Sequence, residues 1–341
     1  MENINIWLVG GGLAVGAVFA IMIQRFRFCL VAGISNLILI KDHRQANAFA
    51  VALLVGITGT QLLEMMDVVA IADSSYRNNT LDWFGATVGG LLFGIGATLA
   101  GGCAARTIVR TMEGSIHSLI VLMSFAIVAA IAQFGFLETP RIDLTHATSI
   151  ELSTDAGLAS ILSLPSWLVL AAVIIGLIIF IVKGCKSNPD KPTLIVGVIV
   201  GLLVVCGWYI TGVLAQDEFD PTNPSAMTIS GPLARFGYII TSGRIPALSF
   251  SISFVIGTAI VSLLLALTTK QFNITAPRKG MTKIAVLGGS LMGVGAIMAY
   301  GCNIGQGLSG ISTLSMESLL AVIGMVVGIT AVTKWMEKNV V

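Results

Sequence analysis

Apolar runs long enough to cross a bilayer recur along the chain at about 6–23, 46–63, 83–100, 116–134, 165–182, 192–213, 246–268, 283–300 and 317–335. A hydrocarbon core about 30 Å thick takes roughly 20 helical residues at about 1.5 Å each, so the pattern predicts nine transmembrane helices. Between them lie four apolar pieces too short to span, at about Phe28 to Ile40, Ala104 to Met112, Thr228 to Thr241 and Asn303 to Leu314. Backbone at membrane depth must find its hydrogen bonds inside the protein, which makes these pieces re-entrant or buried half-helices. The first run lacks a basic flank and a small-residue cleavage site, so it is expected to stay in the protein rather than act as a signal peptide.

The order span, short piece, two spans, short piece, span recurs from about residue 192. One extra span near 165–182 joins the two sets, so the second set starts from the opposite face and the repeats are inverted. The expected organisation is an all-α polytopic membrane protein with a first repeat at 1–135, an exterior loop and connecting span at 136–190, and a second repeat at 191–341. A gap-free sequence duplication supports it. Gly89, Gly90, Leu92, Gly94, Gly96, Ala97, Ala100, Gly102 and Cys103 recur, each 199 positions later, as Gly288, Gly289, Leu291, Gly293, Gly295, Ala296, Ala299, Gly301 and Cys302. Glycines at such spacing read as helix-packing faces, and each copy delivers a thiol to the end of a packed helix.

Composition agrees with this reading: charged residues make up 11% of the chain and mean hydropathy is +0.93, far from a soluble domain. Of the 19 Lys and Arg residues, alternate loops put only Arg77, Arg141, Arg235 and Arg244 on one side. The excess on the other side predicts an exterior N-terminus and a cytoplasmic C-terminus. Asp143, Glu151, Asp155, Asp217, Glu218 and Asp220 make the long exterior loops acidic. The small net charge of +2 gives no reason to expect a nucleic-acid partner.

Inverted repeats with broken helices place a solute site where the breaks meet, and converging helix N-termini favour an anion. Cys103 and Cys302 close the duplicated segments, and Cys29 follows the first span. Cys185, in a basic loop, and Cys206, inside a span, are read as bystanders. The histidines His43, His117 and His146 are dispersed and no C-x-x-C occurs, so neither a metal nor a cofactor is expected. The spans carry no evident proton relay. The candidate substrate-binding groups are Cys29, Cys103, Cys302, Gly102, Gly301, Asn303 and Gln306, with Arg27 and Arg106 flanking the cysteines on the cytoplasmic side. No catalytic residue is expected.

Three segments, Arg25-Phe26-Arg27-Phe28-Cys29-Leu30, Leu99-Ala100-Gly101-Gly102-Cys103-Ala104 and Ala299-Tyr300-Gly301-Cys302-Asn303-Ile304-Gly305-Gln306-Gly307-Leu308, resemble the signature segments of the YeeE/YedE sulfur-transport family. The resemblance implies import of thiosulfate through the bacterial cytoplasmic (inner) membrane along an hourglass pathway. It also implies that Cys302 and Cys103 lie near the constriction, that Cys29 lies on the cytoplasmic side, and that a TusA-like sulfurtransferase serves as cytoplasmic partner. The chain departs from the family at Tyr300, where many members have glycine, and at Ala105-Arg106. Transport of a selenium or other sulfur species is the nearest alternative. A membrane thiol–disulfide oxidoreductase using Cys103 and Cys302 and a structural or partner-recruiting subunit are alternatives of other classes.

Overall fold

The computed structural model describes residues 6–152, 155–187, 190–216, 223–242, 248–278 and 280–340. The helices are α1 (Ile6–Phe26), α2 (Leu30–Leu39), α3 (Arg44–Met65), α4 (Trp83–Leu99), α5 (Ala104–Met112), α6 (Ile116–Phe134), α7 (Glu138–Thr148) and α8 (Leu158–Leu162), then α9 (Ser166–Ser187), α10 (Lys191–Tyr209), α11 (Ser230–Ser242), α12 (Phe250–Thr268), α13 (Met281–Met298) and α14 (Met316–Val340). Two single-turn π-helices, Ile210–Leu214 and Gly305–Gly310, complete them. Nine helical segments among the described residues are long and apolar enough to span, as the hydropathy pattern predicts. The protein is an all-α polytopic membrane protein. The four short apolar pieces become α2, α5, α11 and the π-turn at Gly305–Gly310.

Helix contacts come in matched pairs. As α1 packs on α12, α10 packs on α3; as α4 packs on α14, α13 packs on α6; and α4 lies against α13. The duplicated glycines make the central contact antiparallel. A Cβ added at Gly89 would lie 2.8 Å from the Gly295 carbonyl oxygen and one at Gly295 2.6 Å from that of Gly89; Gly96 and Gly288 face each other in the same way. The next row packs outward: a Cβ at Gly90 or Gly94 would reach the Ala321 or Met325 carbonyl of α14, and one at Gly289 or Gly293 the Val121 or Phe125 carbonyl of α6. Lipid tails supply no hydrophobic drive between helices, so this close backbone approach is what dispersion needs. One glycine pattern used twice therefore builds the four-helix centre.

One detail of the sequence reading is corrected. Cys185 lies in the last turns of α9 rather than in a loop, where its sulfur accepts a bond from Asn47 Nδ2 at 3.7 Å, because helical structure continues through the basic residues to Ser187. Cys206, inside its span, is exposed on the outer face of α10, where the bystander reading of a lone cysteine gives it no packing role in the core. Of the acidic loop residues, Asp217, Glu218 and Asp220 lie outside the described residues, as do Arg244 and Lys279.

The stretch between α6 and α9 forms more than a loop. It includes α7, α8 and a two-residue strand, β2 (Ile150–Glu151), paired antiparallel with β1 (Thr80–Leu81). It straps the turn that follows the Gly305–Gly310 π-helix: Leu158 N–H donates to the Leu314 carbonyl at 2.8 Å and Met316 N–H to that of Ala156 at 2.9 Å. Arg77 clasps the same turn. Its Nε and Nη2 donate to the Thr313 carbonyl at 2.9 and 2.7 Å, and its Nη1 pairs with Glu64 at 2.5 Å and Asp155 at 3.4 Å.

Candidate functional site

Each cysteine of interest sits where a helix has been stopped and the chain restarts. α4 ends in a Schellman motif, with Gly101 N–H bonded to the Thr98 carbonyl at 3.1 Å and Gly102 N–H to that of Ala97 at 2.9 Å. α13 ends the same way, through Tyr300 to Ile297 at 3.3 Å and Gly301 to Ala296 at 2.8 Å. The motif needs a left-handed residue at its pivot, which is Gly101 (φ +76°) in one copy and Tyr300 (φ +52°) in the other. A side chain in that region costs about 1–2 kcal/mol. Tyr300 is half exposed. Tyr300→Gly is therefore expected to stabilise the detergent-solubilised protein and Gly101→Val to destabilise it, each by about 1 kcal/mol, read as opposite shifts of the thermal midpoint by tryptophan fluorescence.

After the stop, Cys103 is the N-cap of α5 and its carbonyl accepts from Thr107 N–H at 2.9 Å. Cys29 holds the same place before α2, accepting from Gly33 N–H at 3.0 Å, just after Arg27 ends α1 in a left-handed conformation (φ +55°). The Cys302 carbonyl accepts from Gln306 N–H at 2.7 Å and opens the π-turn. Since α4 and α13 run antiparallel, the Cys103 and Cys302 breaks open from opposite ends of that pair. All three cysteines are buried, and neither the Cys29 nor the Cys103 thiol caps its own helix.

The Cys29 thiol donates to the Cys103 sulfur at 3.6 Å across 74 residues of sequence. The sulfur beside Cys103 is thus that of Cys29, where the redox alternative pairs it with Cys302. This contact joins the first N-terminal turns of α2 and α5, whose leading N–H groups have no partner within their own helices. Two thiols and two positive helix ends therefore gather at one point.

At the other break, Gly301 is buried and packs against the Gln306 side chain. Gln306 is committed at both ends, donating through Nε2 to the Ala299 carbonyl at 2.7 Å and accepting from the Ser318 hydroxyl. Asn303 is different. It is 1% exposed, yet neither Nδ2 nor Oδ1 has a partner among the described residues. An unpaired buried polar group costs about 1–3 kcal/mol, and a polar solute or an ordered water is what relieves it.

Tyr76 and Thr228, which the sequence did not single out, stand around this break. A Cβ at Gly305 would lie 2.8 Å from Thr228 Oγ1 and 3.6 Å from the Tyr76 hydroxyl oxygen. Burial pushes the Tyr76 phenol above its usual pKa, with the neighbouring Cys302 thiol as second cause, so Tyr76 stays a neutral donor. Both residues lie in irregular connections whose sequence shows no periodicity and no repeat partner.

Arg27 and Arg106 come together on a cavity of about 650 Å³ beside the Cys29–Cys103 pair, with Gln24, Arg25, Arg110, Glu113, Thr269 and Gln271 among its walls. Arg106 and Gly102 also border a crevice of about 400 Å³ between α2, α4 and α14. Of the cavity partners of Arg27 and Arg106, Arg25 enters the sequence reading only as the first residue of a signature segment and in the charge asymmetry, and Arg110 only in the charge asymmetry.

The profile of a family described as sulphur transport matches residues 25–331. The thiosulfate transporter TsuA of Escherichia coli K12 is 25% identical over 94% of this chain and 93% of its own length. The thiosulfate transporter TsuA of Spirochaeta thermophila is 27% identical over 94% and 97%. The probable transporter YedE of Escherichia coli K12 is 27% identical over 32% of this chain and 25% of its own.

Proposed function

The chain belongs to the sulphur-transport family, and from that premise we propose that it is a permease carrying thiosulfate into the cytoplasm along a chain of thiol sites. The observation that carries the reading is the 3.6 Å contact of Cys29 with Cys103 at two helix breaks, with Cys302 held at the sequence-equivalent break of the other copy. Thiosulfate has a sulfur end and three oxygens. Thiols offer weak S–H donation to the sulfur end, while helix N-termini and the Asn303 amide suit the oxygens. Hydrogen bonds to a charged group contribute about 1.5–3 kcal/mol each, and dividing them among successive sites selects the anion without gathering them into one trap.

In this reading the solute meets Cys302, Gly301 and Asn303 first, passes to Cys103 and Gly102, then to Cys29, and leaves past Arg27 and Arg106. Gln306, committed at both ends, braces the turn. The matched helix contacts and the glycine duplication support inverted repeats at 1–135 and 191–341, joined through 136–190. The charge asymmetry supports an inner-membrane protein with its C-terminus in the cytoplasm. A TusA-like cytoplasmic acceptor belongs to this proposal on family resemblance.

Purified protein in proteoliposomes is expected to accumulate radiolabelled thiosulfate, with unlabelled thiosulfate competing. Absence of uptake by folded, oriented protein sinks the reading. The 3.6 Å sulfur contact also favours a second one, a thiol–disulfide oxidoreductase using Cys29 and Cys103. Turnover of a dithiol substrate by the purified protein would select it.

A further inference from the structure

The arginine-lined cavity has a chemistry of its own. Arg25 and Arg27 come from the end of α1 and its break, Arg106 and Arg110 from α5, and Thr269 and Gln271 from the end of α12. Four guanidiniums face the single carboxylate of Glu113 in this lining, and none of the four forms an ion pair among the described residues. Among the described residues, the Arg110 guanidinium is held by one hydrogen bond, from Nη1 to the Gly101 carbonyl at 3.2 Å. A second observation points to a ligand: Nε2 and Oε1 of Gln24 are both buried without a partner among the described residues. Like charges held this close without compensation repel one another, and an anion removes that repulsion.

The lining contains arginine, glutamine and threonine but no cysteine. Guanidinium forks read the oxygens of a sulfonate or sulfate face through paired N–H donors, and nothing here reads a terminal sulfur. The thiols beyond the cavity can tell thiosulfate from sulfate; the cavity cannot. Its volume, about 650 Å³, is that of a ligand pocket, so an oxyanion fits with its waters. In the orientation proposed above the cavity opens to the cytoplasm, so it meets oxyanions held inside rather than the outside supply.

We propose that this vestibule is a binding site for tetrahedral sulfur oxyanions approaching from the cytoplasmic side, taking sulfate as readily as thiosulfate, and that its occupancy slows import. The regulatory half rests on the transport reading above; the binding half does not. An arriving thiosulfate must leave through the same four arginines, so a sulfate already held there blocks its release.

Isothermal titration of the full-length protein in detergent, with gluconate as background anion, is expected to show saturable sulfate binding. Losing charged hydrogen bonds weakens binding about tenfold or more, which is the drop expected in Arg25→Gln/Arg110→Gln. Arg25→Gln alone, at an exposed position, gives a smaller drop and keeps the test decisive if the double variant does not fold. In proteoliposomes, sulfate in the compartment facing the vestibule is expected to lower initial thiosulfate uptake several-fold where gluconate of equal ionic strength does not. No sulfate binding, or binding unchanged in both variants, overturns the site. Binding with uptake indifferent to sulfate overturns the regulation. If wild type takes up no thiosulfate at all, the transport reading falls and the titration still decides the site.

Discussion

Thiosulfate uptake by Cys103→Ala is expected to fall at least about tenfold below wild type, while Cys206→Ala keeps the wild-type rate. Cys103 is the point where three features meet: it is the N-cap of α5, it receives the Cys29 thiol at 3.6 Å, and it closes a duplicated segment. Removing the sulfur leaves the neighbouring Cys29 without its partner and leaves a passing anion without a donor at the break. A hydrogen bond to a charged group is worth about 1.5–3 kcal/mol, which is about tenfold or more in rate if it is made while the solute crosses the constriction. Alanine adopts the extended N-cap backbone (φ −73°, ψ 172°) without strain, and the Cys103 side chain makes no capping bond to lose, so the fold should be kept, and size-exclusion behaviour checks this. Cys206 on the outer face of α10 touches none of these groups. Serine at 103 separates the two readings of the site. A hydroxyl still donates and should restore part of the uptake, whereas a dithiol redox reaction cannot proceed through serine.

Much of this was legible in the sequence because it depends on local chemistry. A run such as 116–134 has no Asp, Glu, Lys or Arg and is apolar over most of its length, which reads as a spanning helix, and α6 covers those residues. The four short pieces were visible because charge or glycine interrupts them before spanning length. The double helix stop was visible as Gly101-Gly102 and, less plainly, as Tyr300-Gly301, where the left-handed pivot carries a side chain. The duplication announced that α4 and α13 play equivalent parts. What stayed hidden depends on how distant elements pack. Nothing near Cys29 states that Cys103 lies against it, since that contact follows from where α1, α5 and α12 come to rest. Gln306 looked like a free polar group because the sequence does not show that Ser318 and the Ala299 carbonyl take both ends of its amide. Tyr76 sits in a connection between α3 and α4 and joins the Cys302 break only because the Arg77 clasp beside it fastens that connection to Thr313.

Gly94→Ala and Gly176→Ala are expected to move stability in opposite directions although they are the same substitution in membrane helices. Alanine is the better helix former by about 1 kcal/mol, and at Gly176, on α9, an added Cβ meets nothing within 4 Å, so the protein should keep or slightly raise its thermal midpoint. At Gly94 the same atom would lie 2.3 Å from the Met325 carbonyl oxygen of α14. That neighbour is backbone and cannot rotate aside, so α4 and α14 must separate. Separation forfeits the dispersion contacts along the whole pair, and overpacking at a single site already costs about 1–3 kcal/mol. Gly90, where an added Cβ would lie 2.2 Å from the Ala321 carbonyl oxygen on the same face, should behave like Gly94, and the two together should yield no monodisperse protein. The duplication extends the argument to the other copy, where a Cβ added at Gly289 would lie 2.5 Å from the Val121 carbonyl oxygen of α6. Fluorescence-detected size exclusion after a temperature ramp measures all four positions. Equal midpoints for Gly94→Ala and Gly176→Ala would mean that the glycine rows do not hold the centre together, and with them would go the structural reason why both Cys103 and Cys302 are carried on the same duplicated segment.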